Sequence, residues 1–93
     1  MRSICVIFTC ERDYAIAEIA AASAQRLGHD ILMVVSQTDK KPNFQYKTIC
    51  SATNRKGNLR GGAAWVKEQL SILRNAAIGY DWVIKLDSDT IIS

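Results

Sequence analysis

Trp82-Val83-Ile84-Lys85-Leu86-Asp87-Ser88-Asp89-Thr90-Ile91-Ile92-Ser93 is the stretch from which the rest of the chain can be read. Trp82, Val83, Ile84 and Leu86 are strand formers interrupted only by Lys85, and they predict a buried β-strand. Gly79-Tyr80-Asp81 bounds that run upstream. Its carboxyl end delivers two acids. Asp87 and Asp89 stand two residues apart, so in extended backbone they point the same way. Two carboxylates that close repel unless a cation lies between them or one stays protonated. Hard divalent cations take oxygen ligands of this kind together with substrate phosphates. The plain alternative is a polar turn with two solvated acids, common where strands end.

Working back, residues 4–9, Ile-Cys-Val-Ile-Phe-Thr, are a continuous apolar run of strand length, as expected for a strand covered on both faces. Thr9-Cys10-Glu11-Arg12-Asp13 reads as a polar turn, with Asp13 placed to cap a helix. Tyr14, Ile16, Ala17, Ile19, Ala20, Ala24 and Leu27 then recur at helical spacing up to Gly28, a good residue for a helix end. Residues 31–35 predict a second buried strand and 46–52 a weaker third. Between them Pro42 opposes regular pairing in the loop 40–43. Residues 54–62 form a polar, glycine-bearing loop, and 63–77 carry Ala64, Val66, Leu70, Leu73 and Ala77 near helical period.

The order β-α-β-β-α-β predicts an α/β domain: a three-layer, Rossmann-like and mostly parallel sheet with right-handed crossovers. In such sheets ligands bind beyond the carboxyl ends of the strands, where the strand order reverses. That point falls between strand one and the Asp87 strand. It brings the turn at Thr9 to Arg12 beside Asp87 and Asp89.

Composition bounds the alternatives. The chain has 93 residues, 48% hydrophobic and 23% charged, which suits one small folded domain over 1–93 and argues against disorder. The net charge of +3 mildly favours an anionic ligand, but no basic stripe with interleaved aromatics marks a nucleic-acid surface. No apolar run is long enough to span a bilayer, and the N-terminal run lacks a signal cleavage site. Cys5, Cys10 and Cys50 have no metal-ligand spacing and read as reduced core residues of a cytoplasmic protein. His29, after Gly28, has no ligand-spaced partner and reads as a loop residue.

Strand one is not followed by G-x-G-x-x-G, and no G-x-x-x-x-G-K-[ST] is present, so the ordinary dinucleotide and P-loop readings both fail. Gly57-Asn58-Leu59-Arg60-Gly61-Gly62 precedes a helix and reads as either a phosphate-facing or a merely flexible loop. Arg12 and Arg60 suit a diphosphate because the guanidinium fork matches it, and suit a solvated surface equally well.

An apolar first strand with a Thr-x-x-Arg turn, a second strand ending near Asp39, a long helix and then Trp-Val-Ile-Lys-Leu-Asp-Ser-Asp together resemble the nucleotide-binding half of GT-A-fold glycosyltransferases. Lys85-Leu86-Asp87-Ser88-Asp89-Thr90-Ile91 is similar to the D-x-D region of the galactosyltransferase-like or family-2-like branches. The resemblance covers essentially the whole chain. It implies a nucleotide-sugar donor, UDP- or GDP-linked, and Mn²⁺ or Mg²⁺. It assigns Asp89 as a direct metal ligand and Asp87 to the ribose or to the metal through water. Thr9, Glu11 and Arg12 are implied near base and ribose, and Asp39 at the base.

Enzymes of that family continue well beyond the D-x-D motif, whereas this sequence ends at Ser93. The expectation is therefore an incomplete, donor-binding half-domain without a catalytic base or acceptor site, prone to self-association through its truncated edge. Two rivals stand beside it. A haloacid-dehalogenase-like phosphatase would use Asp87 as nucleophile and Asp89 as acid/base, although Thr90 follows Asp89 one residue too early for that motif. A non-enzymatic α/β module would assemble with a partner through its sheet edge.

Overall fold

The computed structural model describes residues 2–36, 40–51 and 62–87. Four parallel strands, β1 (Ser3–Phe8), β2 (Asp30–Ser36), β3 (Lys47–Ser51) and β4 (Trp82–Asp87), form one sheet in the order β3-β2-β1-β4. The helices are α1 (Tyr14–Arg26), between β1 and β2, and α2 (Gly62–Ala76), between β3 and β4. This is the expected small Rossmann-like α/β sheet, and every described strand pair in it is parallel.

Alternate residues of β1 point to opposite faces and build two cores. Cys5 and Ile7, with Ile31 and Met33 of β2, meet Ala17, Ala20, Ala21 and Ala24 of α1. Ile4, Val6 and Phe8, with Leu32 and Val34, meet Ile72, Leu73 and Ala76 of α2. The two helices therefore cover opposite faces of the sheet, and an apolar run without alternation is what that sandwiching requires. Burying Ile7 or Met33 completely contributes roughly 1.5–3 kcal/mol each.

Three details depart from expectation. On α1, Ala17, Ala20 and Ala24 of the expected stripe reach the core together with Ala21, but the larger members do not: Ile19 and Leu27 stay 56% and 60% exposed, and Ile16 is exposed too. A helix seated on a sheet through small residues approaches closely, and its larger side chains are displaced to the flanks. On α2, Leu73 packs inward as expected, but with Ile72 and Ala76, while Val66 and Leu70 are exposed; the side chain of Ala64 lies outside the described ones. Trp82, expected in a buried strand, is 61% exposed, and Val83, Ile84 and Leu86 are only half-buried. The reason is position: among the described strands β4 pairs with β1 alone and forms an edge.

The helix ends follow local rules. Beyond α1, Gly28 at φ +94° lets its own amide donate to the Gln25 carbonyl and the His29 amide to the Ala24 carbonyl, closing the helix in a Schellman pattern. After α2, Gly79 at φ +85° allows the turn in which the Tyr80 amide donates to the Ala77 carbonyl. At the start of α1, Asp13 makes no side-chain capping bond, contrary to expectation. A short 3-10 turn, Glu11–Asp13, leads straight into the helix, and the Asp13 carboxylate instead accepts the Cys10 thiol at 3.5 Å and faces Arg12 Nε at 3.7 Å.

The amino end of the sheet is tied by Arg2. Its amide donates to Asp81 Oδ2 at 2.9 Å, its guanidinium lies over the Tyr80 ring, and the Tyr80 hydroxyl donates to Asp30 Oδ2. That hydrogen bond is the main reason the Tyr80 phenol titrates above its ordinary value.

Because α1 is seated closely on the sheet through Ala20, Ala20→Leu should overpack the interface and destabilise the fold by roughly 1–3 kcal/mol in urea unfolding. The neighbouring Ile19→Gln, on the exposed flank, should stay within about 0.5 kcal/mol of the parent.

Candidate site at the carboxyl edge of the sheet

The register fixes what meets at the carboxyl edge. Phe8, the last residue of β1, is paired with Asp87, the last of β4. On its other side β1 continues one step further, the Thr9 amide donating to the Val34 carbonyl at 2.9 Å. The Thr9 turn and the end of the Asp87 strand are thus neighbours, as the order of elements requires. Asp87 is placed here by its backbone; its side chain lies outside the described ones, and Asp39, Ser88, Asp89 and Arg60 lie outside the described residues altogether.

The three expected residues of the first turn behave differently from one another. Thr9 is buried, and its hydroxyl donates to the Cys10 carbonyl at 3.3 Å. Arg12 has an 87% exposed side chain and is available to an anionic ligand. Glu11 is engaged within the protein: its Oε1 accepts the Lys40 amide at 2.9 Å. Tyr14 joins the same contact, its hydroxyl donating to the Lys40 carbonyl at 2.6 Å and its ring standing edge-on to Phe44 with centroids 5.3 Å apart. Segment 40–46 is therefore fastened to the start of α1. Sequence reading gave Glu11 a ligand-facing role and did not find this contact, because its partner is a backbone amide.

A second feature was missed. Thr9, Ser36 and Ser51 end or directly follow β1, β2 and β3, and all three are buried. Ser36 and Ser51 are register partners, so small hydroxyl residues run across the carboxyl edge where the strands' interiors are apolar. The Ser51 Oγ has no hydrogen-bond partner. An unpaired buried hydroxyl costs about 1–3 kcal/mol. A hydroxyl at the end of each strand was the available sequence signal.

The carboxylates expected to hold a divalent cation suit one chemically, being hard oxygen donors. Among the described residues, no group of three or more His, Cys, Asp or Glu side chains could hold a metal. A cleft of about 260 Å³ lined by Ser3, His29, Trp82, Val83 and Ile84 lies at the opposite, amino end of β1 and β4. His29, in the loop expected of it, is hydrogen-bonded there to the Ser3 hydroxyl.

The cysteines are free thiols, but only Cys5 is a fully buried core residue; Cys10 is half-buried and Cys50, on β3, is exposed. No described helix is long and apolar enough to cross a membrane. No protein-family model, curated protein or solved structure matches the chain.

Two measurements follow. Burial pushes the Cys5 thiol from its ordinary 9.0 up to about 11. A pKa raised on folding contributes stability that is complete below the unfolded value and lost as pH rises through the folded one. Stability should accordingly fall between about pH 9 and 11 in the parent and fall less in Cys5→Ala, while iodoacetamide at pH 8 labels Cys50 and spares Cys5. Ser51→Ala, which removes the orphaned hydroxyl, should leave the urea midpoint unchanged or raise it, by up to about 1 kcal/mol in stability.

Proposed function

We propose that this chain is the donor-binding part of a GT-A-type glycosyltransferase, holding a nucleoside-diphosphate sugar at the carboxyl edge between β1 and β4. The observation that carries the reading is the pairing of Phe8 with Asp87, which makes the Thr9 turn and the D-x-D strand adjacent at the point where strand order reverses. Ligand sites of open α/β sheets form at such points.

Each residue then has a task. Arg12, exposed beside the turn, supplies a fork for phosphate oxygens. Thr9 sets the backbone of the turn against β2, so that the base and ribose meet a fixed surface. Asp87 and Asp89 are the proposed holders of Mn²⁺ or Mg²⁺, and Asp39 is the proposed partner of the base. The metal, when bound, neutralises charge gathering on the departing nucleoside diphosphate. Proton removal from an acceptor hydroxyl needs a positioned base, and none is assigned here.

A second reading, an assembly module, has one observation in its favour: among the described strands β4 is an edge, with an exposed Trp82. It predicts a stable complex and no dependence on metal.

Calorimetry separates the two. UDP, then GDP, is titrated with and without Mn²⁺ into the parent, Asp87→Ala and Asp89→Ala. The donor reading requires binding that needs Mn²⁺ and weakens at least about tenfold, some 1.4 kcal/mol, in both variants. Absence of binding to the folded parent sinks it and leaves the assembly reading.

A further inference from the structure

Segment 40–46 has no helix or strand of its own, yet it is built with a strand-like alternation. Pro42, Phe44 and Tyr46 are half-buried, while Lys41, Asn43 and Gln45 are exposed. Phe44 and Tyr46 pack on the core beneath α1. Upstream, both backbone polar groups of Lys40 are taken by side chains that follow the Thr9 turn: its amide by Glu11, its carbonyl by Tyr14. A backbone held by two side-chain hydrogen bonds and two aromatic anchors is a strap, fixed over the first turn of the helix that follows the Thr9 turn. The residues exposed at its start are cations, Lys40 and Lys41.

We infer that Glu11 and Tyr14 are positioning residues. By fastening Lys40 they hold segment 40–46 as a wall of the carboxyl-edge site, and Lys40 and Lys41 on that wall meet the anionic diphosphate of the donor. The inference rests on the donor reading above and adds to it the side of the site beyond the Thr9 turn, where Glu11 holds Lys40. It also reassigns Glu11. Expected near base and ribose, its carboxylate is instead occupied by the Lys40 amide and so fixes cations near the site. The wall and the Arg12 turn together give the positive surroundings a nucleoside diphosphate requires.

The experiment compares the parent with Tyr14→Phe, Glu11→Ala and the double variant Lys40→Gln/Lys41→Gln. Two readouts are used: UDP–Mn²⁺ affinity across salt concentration, and hydrogen exchange at the Lys40 amide together with tryptic cleavage of the Lys40–Lys41 bond. Lys41 precedes Pro42 and is itself resistant, so the cut reports on one bond. Tyr14→Phe keeps the ring contact with Phe44 and loses only the hydroxyl. It and Glu11→Ala should quicken Lys40 exchange and cleavage several-fold and weaken UDP about tenfold, on the scale of one lost hydrogen bond to the strap. The lysine double variant should retain slow exchange at residue 40, weaken UDP, and flatten the salt dependence of what binding remains. Parent binding that is unchanged in all three variants overturns the strap while leaving the donor reading intact. A parent that binds no nucleotide overturns both. Fast exchange at Lys40 in a binding-competent parent overturns the strap alone.

Discussion

The structure depends on the burial of residues 4–8 of β1. Ile4, Cys5, Val6, Ile7 and Phe8 are buried on both faces, and their backbone is paired on both edges, with β2 and with β4. A strand in that position has no solvent to satisfy its amides and carbonyls, so its neighbours must supply every hydrogen bond. The two helices follow from the same constraint, since each covers the apolar row that β1 and β2 present on its side. The site follows as well. β1 and β4 end together, Phe8 paired with Asp87, so the turn leaving β1 is delivered to the end of β4.

How much of this is legible from residues differs by element. β1 and β2 declare themselves as unbroken apolar runs, and the alternation of strands with helical segments fixes the parallel layering. β4 has much the same composition but a different environment. Trp82-Val83-Ile84-Lys85-Leu86 looks like a buried strand in sequence and stands as a half-exposed edge, because composition records what a strand tolerates and not how many neighbours it has. α1 shows the complementary ambiguity. Its stripe from Tyr14 to Leu27 mixes large and small residues, and the contact with the sheet is made by Ala17, Ala20, Ala21 and Ala24 while Ile16, Ile19 and Leu27 stay exposed. Size, and not hydrophobicity, selects the face that can lie against a sheet.

The candidate site divides along a similar line. That Thr9 and Asp87 converge was legible, since it requires only the order of the strands. The contact made by Glu11 was not. Its partner is the main chain of Lys40, twenty-nine residues away, and a backbone amide leaves no signature in side-chain patterns. The hydroxyls of Thr9, Ser36 and Ser51 fall between these cases. Each is unremarkable alone, and their shared position becomes visible only when the strands are laid in register.

The register between β1 and β4 also bears on how the protein comes into being. Ser3 pairs with Trp82 and Phe8 with Asp87, so contacts at the centre of the sheet join residues 79 positions apart. Synthesis proceeds from the N-terminus at about 5–20 residues per second, so β1 leaves the ribosome several seconds before the strand that closes its second edge. During that interval β1 can pair with β2 across the short α1 crossover, but its other edge is open and strongly apolar. Long-range parallel pairing is intrinsically slow to form. The residues that give the mature fold its centre are thus, in the nascent chain, its most exposed adhesive surface, and a chaperone that shields residues 4–8 would act on the one strand the remainder is waiting to join.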